Sequence, residues 1–293
     1  MVKVLITGAA GQVGSELVKL VPEGFDAIGL DSNELNICDE EQVNRILEKH
    51  KPDLIINAAA YTAVDKAENH VELAYSVNDT GVSNIAFAAS KHRIPVFHIS
   101  TDYVFSGTSV RPYKETDPVG PSGVYGSSKL AGERALIDSD IPYIILRTSW
   151  VFGAEGNNFV KTMLRLGAEH DELSIVSDQQ GCPTSAASIA KVLWGLTERY
   201  VADGVLPWGV YHFGNSDRTT WYGFAREIFK QSKAIGLLAK TPILKEVNTI
   251  EYPTPAKRPA WSVLDCTKIE SFLGTLVPGW RSELACVLRQ LNK

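Results

Sequence analysis

The sequence predicts an α/β fold with a doubly wound parallel sheet and a smaller, irregular C-terminal lobe. Three observations lead to this prediction. Short runs that are apolar throughout alternate with longer amphipathic runs, a glycine-rich turn directly follows the first apolar run, and the strict alternation ends near residue 152. Strands that are buried on both faces and separated by helices pair in parallel through right-handed crossovers, which places helices on both sides of the sheet.

The apolar runs predict five strands, and the amphipathic runs between them predict four helices. The strands are expected at residues 2–7, 25–30, 54–58, 96–100 and 143–147, and the helices at residues 13–20, 40–50, 74–91 and 127–138. A later apolar run at residues 209–213 predicts one more strand, which can return to the main sheet.

A glycine-rich turn, TGAAGQVG at residues 7–14, follows the first strand and opens the first helix. Gly8, Gly11 and Gly14 allow a tight turn, a close approach of the backbone to a pyrophosphate and close packing of the helix on the sheet. The helix N-terminus adds amide groups and positive potential. The spacing is GxxGxxG rather than the general GxGxxG. We interpret the turn as a dinucleotide site of the Rossmann type; a glycine turn without a ligand is the alternative.

The second predicted strand ends beside Asp31, at roughly the distance from the glycines at which dinucleotide folds carry an acidic residue. A carboxylate there can bond the adenosine ribose hydroxyls and repels a 2′-phosphate. Residues 32–34 contain no arginine that would hold such a phosphate. The sequence therefore favours NADH, with NADPH as the second option; a turn cap formed by Asp31 is the alternative role.

The part of the chain beyond residue 152 is less regular. Residues 153–183 are rich in Gly, Asn and Gln, and prolines separate short helical segments in the tail. We therefore predict a dinucleotide-binding domain at residues 1–152, which residues 185–215 can rejoin, and a substrate-binding lobe at residues 153–293. The lobe is expected over the carboxyl ends of the strands, where open α/β sheets bind ligands.

The bulk composition excludes several classes of function. A net charge of −5, a pI near 5.7 and the lack of a Lys/Arg cluster argue against a nucleic-acid partner. No segment has the roughly 20 apolar residues that a membrane span needs. The first strand begins at once, without room for a signal peptide, so the expected location is cytoplasmic.

Cysteine and histidine spacing gives no sign of a metal site. The cysteines lack CxxC or CxxH spacing and are expected to be reduced thiols, and the six histidines form no HExxH pair. The cysteines are Cys38, Cys182, Cys266 and Cys286.

Tyr125 and Lys129 form a YxxxK pair at the start of a predicted helix, so both side chains project from one face. A phenol normally ionises near pH 10. A neighbouring ammonium and a positive nicotinamide ring would lower the pKa of the tyrosine and make it a general acid. Thr101 ends an earlier strand and places a hydroxyl at the same sheet edge. A surface Tyr–Lys pair, and a turn cap by Thr101, are the alternatives.

These residues occur within longer motifs: NAAAYTAVDKAE at 57–68, STDYVF at 100–105, YGSSK at 125–129, RTSWVF at 147–152, GNNF at 156–159, DQQGCPT at 178–184 and YPTPAKRP at 252–259. Through them, nearly the whole chain resembles the extended short-chain dehydrogenases and, more closely, the dTDP-4-dehydrorhamnose reductase family.

The resemblance implies a role for each matching position. At the cofactor it places Gly11, Gln12 and Val13 beside the pyrophosphate, Asp31 at the ribose, Asn36 and Ile37 at the adenine, and Ala60, Tyr61 and Thr62 along the dinucleotide. At the substrate it places Val64, Thr101, Asp102, Tyr103, Trp150 and Arg258. Trp261 stands where the family more often has a polar residue.

Some members of the family bridge a dimer with magnesium through acidic side chains. Glu16 matches one such position, but residues 185–191 lack the partner carboxylates, so we predict no metal. A homodimer is an assembly that the resemblance makes worth testing.

The implied reaction is the NAD(P)H-dependent reduction of the C4 carbonyl of a nucleotide-linked 4-keto-6-deoxysugar, giving a product such as dTDP-L-rhamnose. Tyr125 would protonate the alkoxide, Lys129 would hold the nicotinamide ribose, and Thr101 would bond the carbonyl oxygen. Two alternatives stay open. One is a non-catalytic NAD(P)-binding subunit resembling the β subunit of methionine adenosyltransferase, and the other is a nucleotide-sugar epimerase with tightly retained NAD.

Overall fold

A six-stranded, all-parallel sheet forms the centre of the protein, which we describe from a computed structural model for residues 1–274 and 277–293. The spatial order of its strands is β2-β1-β3-β4-β5-β10. Their bounds are β1 Val2–Thr7, β2 Phe25–Leu30, β3 Leu54–Asn57, β4 Val96–Thr101, β5 Tyr143–Thr148 and β10 Gly209–His212. The predicted fold class is thereby confirmed, and the late strand does lie at the edge of the main sheet.

Helices cover both faces of this sheet. Their bounds are α1 Gln12–Lys19, α2 Glu40–His50, α3 Val64–Ala67, α4 Val71–Tyr75, α5 Gly81–His92, α6 Val124–Ile137, α7 Phe159–Glu169, α8 Ala186–Asp203, α9 Trp221–Ala234, α10 Thr267–Leu273 and α11 Trp280–Leu291. Within the described residues, none is long and apolar enough to cross a bilayer.

Short strands form three two-stranded pairs outside the main sheet. They are β6 Val151–Phe152 with β9 Thr184–Ser185, β7 Glu172–Val176 with β12 Ile243–Val247, and β8 Gln180–Gly181 with β11 Thr219–Thr220. Only the β8–β11 pair is antiparallel.

The sheet separates two apolar cores. One face of β1, including Val4 and Ile6, packs with Leu17 of α1 and Leu193 of α8. The other face packs against α2, α5 and α6. A third core joins α7, α9 and α11 in the C-terminal part. The sheet is buried on both sides, which is why its strands are apolar throughout rather than alternating.

The direction of chain winding reverses at β1. The chain leaves β1 for β2 on one side and later adds β3 on the other, so that β1 pairs with both. Thr7 and Asn57, the last residues of β1 and β3, lie opposite each other in the ladder. In an open parallel sheet, the crevice beyond such a switch point is where ligands bind.

One predicted helix is interrupted. In place of a continuous helix at residues 74–91, the chain forms α4, a π-helical turn at Ser76–Thr80 and then α5. π-turns inside helices are frequent at functional sites. The division into domains at residues 152 and 153 stays a prediction, although α8, beyond that boundary, packs on α1 and its Trp194 Nε1 donates to the Leu17 carbonyl at 3.0 Å.

Candidate active site

The glycine turn after β1 is compact enough that side chains would not fit. Gly8 has φ +66°, and a Cβ there would lie 2.7 Å from the Ala59 backbone after β3. A Cβ on Gly14 would lie 2.1 Å from the Gly8 carbonyl oxygen, so this glycine lets α1 approach the turn. Gly11 is the N-cap of α1 and supplies no side-chain cap. The first amides of α1 therefore face the crevice uncapped, as an anion site requires.

Gln12 connects the glycine turn to the C-terminal part of the chain. Its Oε1 accepts a hydrogen bond from Asn158 Nδ2 at 3.0 Å, and a Cβ on Gly156, whose φ is +66°, would lie 2.9 Å from Gln12 Cγ. Val13 is buried in the core and offers a ligand only its backbone. The loop at residues 153–158 thus borders the turn, a contact that no sequence motif had assigned.

Asp31 follows β2 and caps its own turn. Its Oδ1 accepts from the backbone amides of Asn33 at 2.7 Å and Glu34 at 3.3 Å. Oδ1 of Asp31 therefore caps the turn, as the alternative role predicted. A contact between Asp31 and the adenosine ribose stays a proposal. Asn36 is exposed, whereas the Ile37 side chain is 4% exposed and lies beneath α5 against Gly81. A contact of Asn36 and Ile37 with the adenine stays a prediction; the Ile37 side chain packs in the core, so Ile37 could reach the adenine mainly through its backbone.

The π-helical turn holds the loop after β3. Asn78, which is buried, accepts from the Tyr61 amide at 2.9 Å and donates to the Tyr61 carbonyl at 3.0 Å. Its amide also donates to Ser128 Oγ on α6 at 3.1 Å. One side chain therefore ties the predicted cofactor loop, with Ala60, Tyr61 and the exposed Thr62, to the helix that carries the YxxxK pair.

Helix α6 begins at Val124, earlier than predicted, so Tyr125 lies in its first turn. The Val124 amide donates to Glu68 Oε1 at 2.9 Å, which anchors the start of the helix. A Cβ on Gly126 would lie 2.2 Å from the Tyr103 carbonyl oxygen, so only glycine lets α6 approach the turn after β4 this closely. The Tyr103 and Tyr125 rings meet edge to face at 5.4 Å.

Thr101, Asp102 and Tyr103 follow β4 beside Tyr125. The Thr101 hydroxyl accepts from the Tyr103 amide at 3.3 Å, donates to Asp102 Oδ1 at 3.0 Å and lies close enough to the Tyr125 phenol to favour its ionisation. Burial raises the pKa of Asp102 to about 6, and the nearby Ser262 hydroxyl and the hydrogen bond from Thr101 oppose the rise. Thr101 therefore caps the local turn and also faces the tyrosine.

The pKa of Tyr125 differs from the sequence-based expectation. Loss of hydration around the hydroxyl raises this pKa well above its usual value. The expected lowering by Lys129 is absent because the Lys129 amine points elsewhere: it donates to the Ile99 carbonyl at 2.7 Å and lies 3.2 Å from His98 Nε2. Burial also lowers the pKa of Lys129 to about 8, although the Glu133 carboxylate opposes this.

Trp150 has a backbone conformation that is unusual for a bulky residue. Its φ is +50°, a backbone angle that is strained for residues other than glycine. The indole stacks on Trp221 with ring centroids 3.6 Å apart and planes within 7°, and it lies against Gly181, where a Cβ would come within 2.4 Å of Trp150 Cε2. Gln179 Oε1 accepts from Trp221 Nε1 at 3.1 Å. We call Trp150, Trp221 and Gln179 the tryptophan clamp.

Arg258 joins the C-terminal part of the chain to the crevice. Its Nη1 donates to the Tyr103 hydroxyl at 3.2 Å, and its Nη2 donates to Asp65 Oδ2 at 2.6 Å. Val64, next to Asp65, begins α3 and is half-buried. Arg258, Trp221 and Gln179 also line a cavity of about 650 Å³ between α7 and β7. Trp261 is 8% exposed and packs with Val104 and Phe105 in a small core, so its side chain fills core space.

Comparison with known proteins identifies the family. The profile described as "RmlD substrate binding domain" matches residues 2–293. A dTDP-4-dehydrorhamnose reductase of Aggregatibacter actinomycetemcomitans is 46% identical over 286 residues, which are 97% of each chain. One of Escherichia coli K12 is 39% identical over 98% of this chain and 97% of the relative. The chain belongs to the dTDP-4-dehydrorhamnose reductase family.

Solved structures of this family superpose closely. A dTDP-4-dehydrorhamnose reductase of Clostridium acetobutylicum has a TM-score of 0.91 at 38% identity, covering 99% of this chain and 100% of its own. The enzyme of Bacillus anthracis, solved in complex with NADP, has a TM-score of 0.91 at 35% identity with the same coverage. A UDP-glucose 4-epimerase of Thermus thermophilus, solved with NAD, shares only the fold, at 20% identity and a TM-score of 0.80.

The structure brings most of the predicted site residues to one sheet edge. At or beside the carboxyl ends of β1, β3 and β4 lie the glycine turn, the loop after β3, Thr101 to Tyr103, Tyr125 and Lys129. Within residues 1–274 and 277–293, no group of three or more His, Cys, Asp or Glu side chains could hold a metal. Asn57, Asn78, His98, Asn158 and Trp221 were missed, because their contacts join segments far apart in the chain.

Proposed function

We propose that this protein is an NAD(P)H-dependent reductase that converts the C4 carbonyl of dTDP-4-dehydro-L-rhamnose to the hydroxyl of dTDP-L-rhamnose. The observation that carries the proposal is the Thr101 hydroxyl beside the Tyr125 phenol, with Lys129 one turn further along α6, at the sheet edge that also carries the uncapped glycine turn. The turn suits a dinucleotide because Gly8 and Gly14 allow close packing against the Ala59 backbone and of α1 on the turn, which brings the uncapped start of α1 to the switch point.

The chain's own residues would perform the proton chemistry. The nicotinamide cofactor supplies the hydride that C4 receives. The Tyr125 hydroxyl donates its proton to the developing alkoxide, and the Thr101 hydroxyl bonds the same oxygen as negative charge accumulates there. The raised pKa of Tyr125 keeps the phenol protonated at neutral pH, which suits a general acid. Lys129 would bond the nicotinamide ribose.

The tryptophan clamp would orient the sugar. Trp150 follows β5 beside the crevice, and its strained backbone is held by the stack with Trp221. The cavity beyond Trp221 and Arg258, at about 650 Å³, is in the range of pockets that enclose small organic ligands. We place the nucleotide part of the substrate there, with Val64, Asp102 and Tyr103 bordering the sugar.

The decisive test measures oxidation of NADH and of NADPH with a panel of nucleotide-linked 4-ketosugars. Oxidation that depends on dTDP-4-dehydro-L-rhamnose, with dTDP-L-rhamnose as product, is expected. A purified protein that retains NAD and interconverts sugar epimers without net oxidation would indicate an epimerase instead. A stable complex with a methionine adenosyltransferase, without sugar-dependent oxidation, would indicate a regulatory subunit.

Cofactor choice is expected to depend on Asp31. We propose that NADH is preferred, since the Asp31 carboxylate disfavours a 2′-phosphate and no arginine occurs at residues 32–34. Asp31→Asn keeps the oxygen that caps the turn but removes the charge. We expect the ratio of kcat/KM for NADPH to that for NADH to rise by about 10-fold, the effect of one unfavourable charge contact worth about 1.4 kcal/mol.

Asp26→Asn, which removes an exposed charge from the body of β2, serves as the control and should leave the ratio unchanged. An unchanged ratio in Asp31→Asn as well would rule out Asp31 as the discriminating residue.

Loss of the stack on Trp150 is expected to weaken sugar binding. Trp221→Ala removes a ring that stacks at 3.6 Å, a contact worth about 1 kcal/mol beyond its buried area. We expect KM for the sugar nucleotide to rise by about 5- to 10-fold, with KM for the dinucleotide unchanged. Trp221→Phe retains an aromatic face and should recover most of the loss. Equal KM values for the sugar nucleotide in all three proteins would contradict a role of the clamp in binding.

A further inference from the structure

A chain of buried polar side chains extends behind the YxxxK pair. Thr7 Oγ1 donates to Asn57 Oδ1 at 2.6 Å, Asn57 Nδ2 lies 3.0 Å from His98 Nδ1, and His98 Nε2 lies 3.2 Å from Lys129 Nζ. All four residues are at most 1% exposed. Burial lowers the pKa of His98 well below its usual value, so its imidazole is neutral. A neutral imidazole has one donor and one acceptor nitrogen.

The orientation of the Asn57 amide is fixed by the backbone. The Ala59 amide, which can only donate, lies 3.2 Å from Asn57 Oδ1. Turning the Asn57 amide over would place its NH2 group against this partly buried N–H, donor facing donor, and leave the N–H only its longer contact with Thr7 Oγ1 at 3.4 Å. The oxygen therefore faces Ala59, and the Nδ2 group donates to His98 Nδ1.

This orientation also sets the tautomer of His98. Because Nδ1 accepts from Asn57, the proton of the neutral ring resides on Nε2 and points at Lys129 Nζ. An ammonium has three donors and no acceptor, so it would face another donor at 3.2 Å. An uncharged amine can accept from His98 Nε2 and still donate to the Ile99 carbonyl at 2.7 Å. With the uncharged amine, the contact at 3.2 Å becomes a hydrogen bond instead of two facing donors.

We propose that His98, oriented by Asn57, is a positioning residue that favours the uncharged amine of Lys129 and so sets the pH at which this lysine gains its charge. The inference rests on the proposed reductase function for its catalytic meaning, while the hydrogen-bond chain stands on geometry alone. The other charged group facing Lys129 is Glu133 on the same helix, and its carboxylate is paired with Arg147 of β5. From β4, His98 and the Ile99 carbonyl face the amine.

The consequence for catalysis is a lysine that titrates close to working pH. The pKa of Lys129 is lowered to about 8, so protonation takes place as the pH falls through this value and the charge is lost as the pH rises through it. In the proposed reductase a charged Lys129 bonds the nicotinamide ribose more strongly than the neutral amine does, since hydrogen bonds from an ionised donor are the stronger ones. Activity should therefore decline at pH values above about 8, where the amine is neutral.

The test follows the lysine itself. Protein labelled with 13C at lysine Cε is titrated by NMR, and the Lys129 signal is assigned by its loss in Lys129→Arg. His98→Gln places an amide oxygen where it can accept from an ammonium, which removes the donor–donor conflict. We expect the pKa of Lys129 to rise by about one unit or more, a tenfold gain in proton affinity, and the basic limb of the kcat/KM profile to move upward with it.

Two further variants keep the result unambiguous. Asn57→Leu removes the donor to His98 Nδ1 without adding a charge. The ring can then carry its proton on Nδ1 and accept from Lys129 at Nε2, so this variant should also raise the pKa of Lys129 and answers the question if His98→Gln does not fold. His212 of β10 is also buried, and its Nδ1 lies 3.0 Å from the Tyr113 carbonyl oxygen. His212→Gln is therefore the matched control and should leave the Lys129 titration unchanged.

An unchanged Lys129 titration in folded His98→Gln, or in folded Asn57→Leu, would overturn the inference. Because the NMR titration needs no substrate, it is independent of the proposed reaction. A shifted titration in a protein that reduces no sugar nucleotide would leave the hydrogen-bond chain standing and refute the function.

Discussion

Replacing Tyr125 by phenylalanine is expected to lower kcat for sugar-nucleotide reduction by about 100-fold or more, the usual contribution of a general acid. The substitution removes the hydroxyl but retains the ring that meets Tyr103 edge to face, so the fold of the site should persist. Because the proton transfer occurs in the transition state, KM for both substrates should change little. Steady-state kinetics with dTDP-4-dehydro-L-rhamnose checks the result.

Tyr143→Phe is the matched control for this variant. Tyr143 begins β5, at the opposite end of the strand from the crevice, and is partly buried like Tyr125. The control should retain wild-type kcat. If Tyr125→Phe turned over as fast as the control, another group would have to supply the proton, and the catalytic assignment would fail.

The largest effect on stability is expected from the buried ion pair of Glu133 and Arg147. Arg147 Nε and Nη2 donate to the two Glu133 carboxylate oxygens at 2.9 and 2.6 Å, with side-chain exposures of 5% and 0%. Ser100 Oγ also donates to Glu133. Glu133→Gln leaves the guanidinium charged and buried without its counter-charge. We expect the free energy of unfolding to fall by about 3–5 kcal/mol, measured by urea denaturation.

Two comparisons isolate the cause of this loss. Glu169→Gln breaks an exposed pair with Arg165 on α7 and should cost no more than about 1 kcal/mol. The double variant Glu133→Leu/Arg147→Leu removes both charges and should be more stable than Glu133→Gln alone, since no unpaired charge remains. A double variant that is no more stable than the single one would attribute the loss to packing rather than to charge.

The sequence was sufficient for the fold class because that information is local. Strands such as Val2–Thr7 and Leu54–Asn57 are largely apolar, and this pattern predicts that helices cover both faces of the sheet. Ends of elements were less accurate: α6 begins at Val124 because Glu68, distant in sequence, binds its first amide. The π-helical turn at Ser76–Thr80 was missed for a similar reason, since Asn78 is held by Tyr61 and Ser128.

Side-chain direction was the weakest part of the sequence-based prediction. The motif assigned Ile37 a role but could not show that its side chain faces the core beneath α5. Lys129 lies on the same helical face as Tyr125, yet its amine points to His98 and Ile99, so it does not lower the pKa of the tyrosine as expected. Helical spacing predicts which residues share a face of a helix. The position of the polar end of a flexible side chain depends on hydrogen-bond partners in other elements.

The sequence by itself determined the parallel sheet, the glycine turn and the set of reactive residue types, because hydrophobic period, glycine placement and motif spacing are properties of neighbouring residues. Only the tertiary structure decided that Gln12 contacts Asn158, that Trp221 stacks on Trp150, and that Asn57 and His98 extend behind Lys129. These contacts join positions between 31 and 146 residues apart. The contact partners, the burial and the charge state of these side chains are set only when the chain has folded.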